Sequence, residues 1–410
     1  MNNLEKIFRI VSFYDNCRWS DAKNYNSINF YKEGLDDDTK LLTHWLCYIT
    51  DRQMDFERIW DVGGFVFSEL AEKYKNIADN DNILIPKMSN SFIREDEDDE
   101  RIKKIKYSFI GLSRPNNIIV EKYSNVYENN NSVVFKSRYL PSDYYNILYT
   151  FDLLNKYERS LSYFIAQAYR ANKKDKEHLI HKILFSLYLL TYYYEKNGQP
   201  NYEDILNDNI SVGERTKRVI EILNTDEIFE NEFNTFLKTK IFQQKRAWCS
   251  LRDFLKSPEY GGYFRNTISK YLSEDEIKEL TSETMLHQLE LPGDVWNNNS
   301  IFRKCVLKRT DYEDSTDGFN VLLRKFYNSN PKSDMKAYPE QFDITFDFVP
   351  RMCNKGNCDI CPIGFISGKG GSFEMTCIDN NSKYCPVVLV GCGYFKRCIG
   401  HQCCELRKVV

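Results

Sequence analysis

The stretch Leu255-Lys-Ser-Pro258-Glu-Tyr-Gly261-Gly262-Tyr-Phe-Arg265-Asn-Thr-Ile268 sets a Pro-x-x-Gly turn between two amphipathic segments. Such a turn can present backbone N–H groups and a helix N-terminus to a phosphate, with Lys256 or Arg265 adding charge. It can equally be an ordinary helix–helix turn. Between Ile241 and Tyr271 there are six basic residues and two acidic ones, in a chain whose formal net charge is -3. A phosphate-facing surface therefore has to be a local patch, because the overall charge excludes a protein that coats polyanions along its whole length.

Outward from this stretch the periodicity is helical. Toward the N-terminus, Leu41, Leu42, Trp45, Leu46 and Ile49 recur at helical spacing, followed by Phe56, Ile59 and Trp60, then Phe65, Phe67 and Leu70. Thr50-Asp51 and Gly63-Gly64 break the pieces. From Ser142, a candidate N-cap, helices are expected over Tyr144–Tyr157, Arg159–Arg170, Lys176–Tyr194, Tyr202–Leu206 and Gly213–Leu223. A further helix is expected over Asp275–Leu286. The Tyr and Phe residues of the middle block read as core and rim of a helix bundle. The strand signal is confined to Asn117–Tyr139, where Ile118-Ile119-Val120 and Val133-Val134-Phe135 flank an Asn-rich turn and predict a β-hairpin insertion. The acidic run Glu95–Glu100 is followed at once by Arg101, Lys103 and Lys104, the pattern of a solvated loop carrying its own counter-charge.

The most apolar window, Ile183–Tyr194, is shorter than the roughly 20 residues a membrane span needs, so it reads as a buried helix and no membrane partner is expected. The opening Met1–Phe8 lacks an apolar core ending in small residues, so a cytoplasmic location is expected. No obligate protein partner is evident.

The cysteines are unevenly placed. Of thirteen, nine lie between Cys353 and Cys404, arranged as Cys353-x4-Cys358-x2-Cys361-Pro362, then Cys377, Cys385-Pro386, Cys392, Cys398, Cys403 and Cys404. Thiolates at these spacings converge on one metal centre, a [4Fe-4S] cluster or zinc, with Cys353, Cys358 and Cys361 as three ligands and Cys385, or else Cys377, as the fourth. Gly368-Lys369-Gly370-Gly371 is not a phosphate loop, since Gly370 follows the lysine where a Ser or Thr is required. Finally, Leu291-Pro292-Gly293-Asp294 puts a carboxylate after a proline turn just ahead of a predicted helix, where it can cap that helix or stand at the mouth of a pocket.

Taken in order, these segments resemble the helix-hairpin-helix DNA glycosylase superfamily. Leu41–Tyr74 is similar to that family's N-terminal helix pair, Pro258–Arg265 to its hairpin, Leu291–Asp294 to its aspartate loop, and Cys353-Cys358-Cys361 to the iron–sulfur loop carried by many members. The resemblance implies a mainly α, two-lobed fold, with double-stranded DNA as partner and a modified or damaged base flipped into the interlobe cleft. It implies Asp294 as the catalytic carboxylate. The nucleic-acid-facing set it implies is Tyr48, which would fill the gap left by the flipped base, with Lys256, Tyr260, Gly261, Gly262 and Arg265. Glu259 stands where the family hairpin usually has glycine. Tyr263 falls where bifunctional members keep a lysine, so hydrolysis without a lyase step is expected. The alternatives are a non-catalytic nucleic-acid-binding protein of the same fold, or a glycosidase acting on a modified nucleoside or tRNA base.

The resulting organisation is an N-terminal helical segment of the glycosylase-like core over 1–90, a charged loop and hairpin insertion over 91–140 and an aromatic-rich helical insertion over 141–230. A hairpin and aspartate-loop lobe follows over 231–345, then a small cysteine-rich metal domain over 346–410.

Overall fold

The computed structural model describes residues 28, 30, 33–50, 64, 67–76, 141–191, 212–238, 245–292, 315–329 and 339–342. Among these residues the protein is helical, with no strand. The helices are α1 (Asp37–Ile49), α2 (Ser68–Lys75), α3 (Pro141–Leu154), α4 (Leu161–Asn172), α5 (Leu179–Leu189) and α6 (Val212–Asn224). They continue with α7 (Asp226–Lys238), α8 (Lys245–Lys256), α9 (Pro258–Ile268), α10 (Glu274–Leu280), α11 (Glu283–Leu286) and α12 (Thr316–Ser329). The hairpin expected within Asn117–Tyr139, the helix expected over Tyr202–Leu206 and the entire cysteine-rich segment lie outside the described residues.

α1 is central among the described helices. Asp36 caps it, Oδ1 accepting the Thr39 amide at 2.9 Å, and Asp37 and Asp38 add negative charge at its positive end. At the other end the Thr50 hydroxyl donates to the Leu46 carbonyl at 2.7 Å. Every residue from Leu41 to Ile49 is buried, polar Thr43 and His44 included, so this is a helix enclosed on all sides rather than a surface helix with one apolar stripe. It packs against α2, α4, α8 and α9.

The middle block is built into the same core. α4 packs on α1, α5 and α9, α5 on α8, and Phe185 of α5 meets Phe229, Phe233 and Phe236 of α7 at ring separations of 5.0–5.8 Å. A single apolar cluster runs from Ile28 to Leu289, so the helices read as an insertion share one interior with the segments on either side.

Three local readings differ from the structure. α3 begins at Pro141, whose fixed φ suits the first helical position, so Ser142 lies inside the helix instead of capping it. The helix expected over Asp275–Leu286 is two pieces: the Thr281 hydroxyl bonds back to the Ile277 carbonyl and Ser282 caps the second piece. Most consequentially, the Pro-x-x-Gly turn is not a loop. α8 and α9 meet at one residue, Ser257, whose hydroxyl accepts the Tyr260 amide at 3.3 Å; Pro258 is already the first residue of α9, and Gly261 and Gly262 lie within it.

Candidate functional site

The α8–Ser257–α9 corner rests directly on α1. Its tightness has a steric cause. A Cβ on Gly261 would lie 3.3 Å from the Phe254 carbonyl oxygen and 3.8 Å from both terminal guanidinium nitrogens of Arg265. Glycine at 261 thus allows α9 to close onto α8 and leaves room for Arg265 above the backbone. A Cβ on Gly262 would meet nothing within 4 Å, so there the helix backbone is open to approach. Arg265 is exposed and Lys256 is half-buried, so the corner carries two basic side chains, with Gly262 half-buried and Gly261 buried.

Beneath this surface lies a closed polar cluster. Asp253 and His44 have no exposed side-chain surface and Arg252 is almost as deeply buried. Asp253 Oδ1 accepts Arg252 Nε at 3.0 Å and Nη2 at 2.9 Å. Its Oδ2 accepts the Tyr48 hydroxyl at 2.9 Å and lies 3.2 Å from His44 Nε2. All the acceptor capacity of the carboxylate is used, and the contact with His44 requires the proton to be on Nε2. Arg252 lies over Trp248 at 4.9 Å, and the His44 ring sits 4.2 Å from that of Tyr260. Burial holds His44 below its ordinary pKa, against the opposing pull of Asp253, so it is a neutral donor near pH 7.

The residues expected to face nucleic acid therefore separate into two groups. Lys256, Gly262 and Arg265 lie at the corner with access to solvent, and Gly261 shapes it, its own amide bonding the Ser257 carbonyl at 2.8 Å. Tyr48 and Tyr260 are interior. Tyr48 is 8% exposed and bonded to Asp253, while Tyr260 is fully buried, its oxygen accepting the Ile28 amide at 2.7 Å. Both side chains are withdrawn from solvent. Trp45 and Trp248 are likewise core.

Asp294 and its Gly293 lie outside the described residues, as do Trp296 and Cys353, Cys358, Cys361, Cys377 and Cys385. The segment leading to Asp294 is described as far as Pro292. Asn320 of α12 holds it: its Oδ1 accepts the Leu291 amide at 3.1 Å and its Nδ2 donates to the Leu291 carbonyl at 3.4 Å. Arg324, one turn on, pairs with Glu290. Sequence reasoning missed both Asn320 and the Asp253 cluster. An Asn inside a helical run and an adjacent Arg-Asp pair read as surface until their partners, 29 and 205 residues away, are known.

Among the described residues no group of three or more His, Cys, Asp or Glu is placed to hold a metal, and no helix is long and apolar enough to cross a membrane. No family model, curated protein or solved structure matches this chain.

Proposed function

We propose that the protein binds double-stranded DNA and hydrolyses the N-glycosidic bond of a modified or damaged base, as a monofunctional glycosylase. The observation that carries this reading is the surface at the one-residue corner, where Gly262 leaves the helix backbone approachable beside Arg265 and Lys256. A duplex backbone requires that combination of closeness and positive charge. The order of segments along the chain adds to it, since α10 and α11 lead from the corner to Leu291-Pro292 and so to Asp294.

In this reading Asp294 stabilises the oxocarbenium character that develops as the base departs and orients the attacking water. No lysine follows at Tyr263 to form a Schiff base, so the product is an intact abasic site. Cys353, Cys358, Cys361 and Cys385 provide four thiolates, a donor set that fits a [4Fe-4S] cluster or zinc and would cross-link the C-terminal segment.

The test uses full-length protein purified without oxygen and duplex oligonucleotides carrying alkylated, oxidised or deaminated bases. Alkali-cleavable abasic sites should form with the native protein and not with Asp294→Asn. The reading fails if no modified duplex yields abasic sites and the native protein and Asp294→Asn behave identically.

The interior position of Tyr48 favours one second reading, a nucleic-acid-binding protein of this fold without catalysis, because a residue bonded to Asp253 is withdrawn from filling the space of a flipped base. Salt-sensitive duplex binding with no abasic product distinguishes it.

A further inference from the structure

The loop after α3, helices α4 and α5 and the α6–α7 junction line an open cavity of about 450 Å³. That lies within the range of small-molecule sites, and its lining includes no residue of the Gly261–Gly262 surface.

Its parts are chemically distinct. At the base, Lys182 is 6% exposed, with its ammonium 3.0 Å from Asp175 Oδ2, bonded to Glu230 and 5.3 Å above the Phe233 ring. This cation is held in place by its carboxylates. Flat apolar surface comes from Tyr157, Phe164 and Phe229, the first two meeting edge to face at 4.9 Å. Gln167 and Asn224 bring side-chain amides that have no hydrogen-bond partner among the described residues. At the mouth, Lys156 and Lys174 are exposed and make no ion pair among the described residues, whereas their neighbours Lys173 and Lys176 are paired with Glu276 and Glu279.

The loop that follows Lys156 and Tyr157 is held in an unusual backbone conformation. Glu158 and Arg159 both have positive φ, 53° and 56°, in the region that favours glycine. They are kept there by the Arg159 amide on the Leu154 carbonyl and the Ser160 amide on the Tyr157 carbonyl, each at 2.9 Å. This turn sets Lys156 and Tyr157 at the cavity, and successive left-handed non-glycine residues concentrate where a site demands a particular geometry.

We propose that the cavity binds a nucleoside 5′-monophosphate. The planar base lies against the aromatic wall, its polar edge meets the amides of Gln167 and Asn224, and the phosphate meets Lys156 and Lys174. A purely apolar ligand would strand the charged lining. Inorganic phosphate alone would leave the aromatic wall uncovered. The site is separate from base excision and is tested without reference to it.

Equilibrium dialysis of the full-length protein against each ribo- and deoxyribonucleoside 5′-monophosphate should give one ligand per chain with Kd below about 1 mM for at least one of them. The matching nucleoside should bind about tenfold or more weakly, and the variant with both Lys156→Ala and Lys174→Ala should lose about tenfold in affinity for the monophosphate. Both lysines are exposed, so a circular dichroism spectrum and melting temperature like those of the native protein are expected and establish that the loss is local. Gln167→Leu should weaken the monophosphate while leaving competition by inorganic phosphate unchanged. The proposal is overturned if no monophosphate binds, if inorganic phosphate competes as strongly as the monophosphates, or if the double lysine variant binds as the native protein does.

Discussion

The hydroxyl of Tyr48 on α1 donates to Asp253 on α8 at 2.9 Å, joining two helices that are 205 residues apart in the chain. The same carboxylate receives His44 from α1 and Arg252 from its own helix, so one buried anion ties the central helix to the corner that carries Gly261 and Gly262.

Removing the carboxylate should therefore harm more than removing any one donor. Asp253→Ala deprives the buried Arg252 guanidinium of this carboxylate and should destabilise the fold by about 3–5 kcal/mol. Tyr48→Phe loses one hydrogen bond to a charged group and should cost about 1–3 kcal/mol. Urea unfolding of the two variants checks the order; equal losses would show that Asp253 is not the hub.

Stability should fall on acidification below neutrality. Burial holds His44 below its usual pKa, and burial together with the nearby charges of His178 and Arg324 brings His181 down to about 4. Both are neutral in the fold at pH 7, whereas the unfolded chain takes up their protons near 6.5. Their contribution is complete above about 6.5 and is lost as the pH falls; for His181 the loss extends to about 4 and amounts to about 3 kcal/mol. Asp36, which burial raises but the Thr39 hydroxyl and amide and Lys75 bring down to about 2, contributes in the same direction at still lower pH. Urea midpoints at pH 7.5 and 4.5 measure the drop, and His181→Phe should flatten it even if the variant is less stable throughout.

The two adjacent glycines should respond in opposite ways to alanine. At Gly262 a Cβ enters open space, so Gly262→Ala should stabilise the protein by about 0.5–1 kcal/mol through helix propensity. At Gly261 it presses on the Phe254 carbonyl, and backbone cannot turn aside as a side chain can. Gly261→Ala should be at least about 1 kcal/mol less stable than Gly262→Ala. Thermal melts of the pair decide it. On the proposed function, Gly262→Ala should also weaken duplex binding without changing stability adversely, separating the surface role from the structural one.

Asn320→Leu removes both bonds to the Leu291 backbone and leaves its amide and carbonyl buried without these partners. A loss of about 2–4 kcal/mol is expected. Asn320→Asp keeps an acceptor for the Leu291 amide and should be intermediate when both are compared by chemical denaturation.

Metal analysis addresses the segment beyond the described helices. On the cluster reading, protein purified without oxygen is brown and carries about four irons per chain, the content of one [4Fe-4S] centre. Cys361→Ala should lose the metal. Stoichiometric zinc in a colourless protein would replace the cluster with a structural zinc site.

The helical character was legible from the sequence because apolar spacing is a local property. Leu41, Leu42, Trp45, Leu46 and Ile49 point to α1, and the Gly213–Leu223 prediction lies one residue inside each end of α6. The helix starts at Ser257 and Ser282 are misread from sequence, as a turn around Pro258 and as the interior of one helix, although their capping hydroxyls act within three residues. What sequence alone could not assign was the surroundings of each face. Tyr48 and Tyr260 carry the same side chain whether they meet DNA or a neighbouring helix, and only the packing of α8 and α9 onto α1 commits them to the interior. Gly261 and Gly262 likewise look alike in sequence, yet the close approach of the Phe254 carbonyl touches only the first. Local rules decide whether a residue is helical. Partners hundreds of residues away decide whether it is core, hub or surface, because desolvation and hydrogen bonding depend on what tertiary packing brings within a few ångströms.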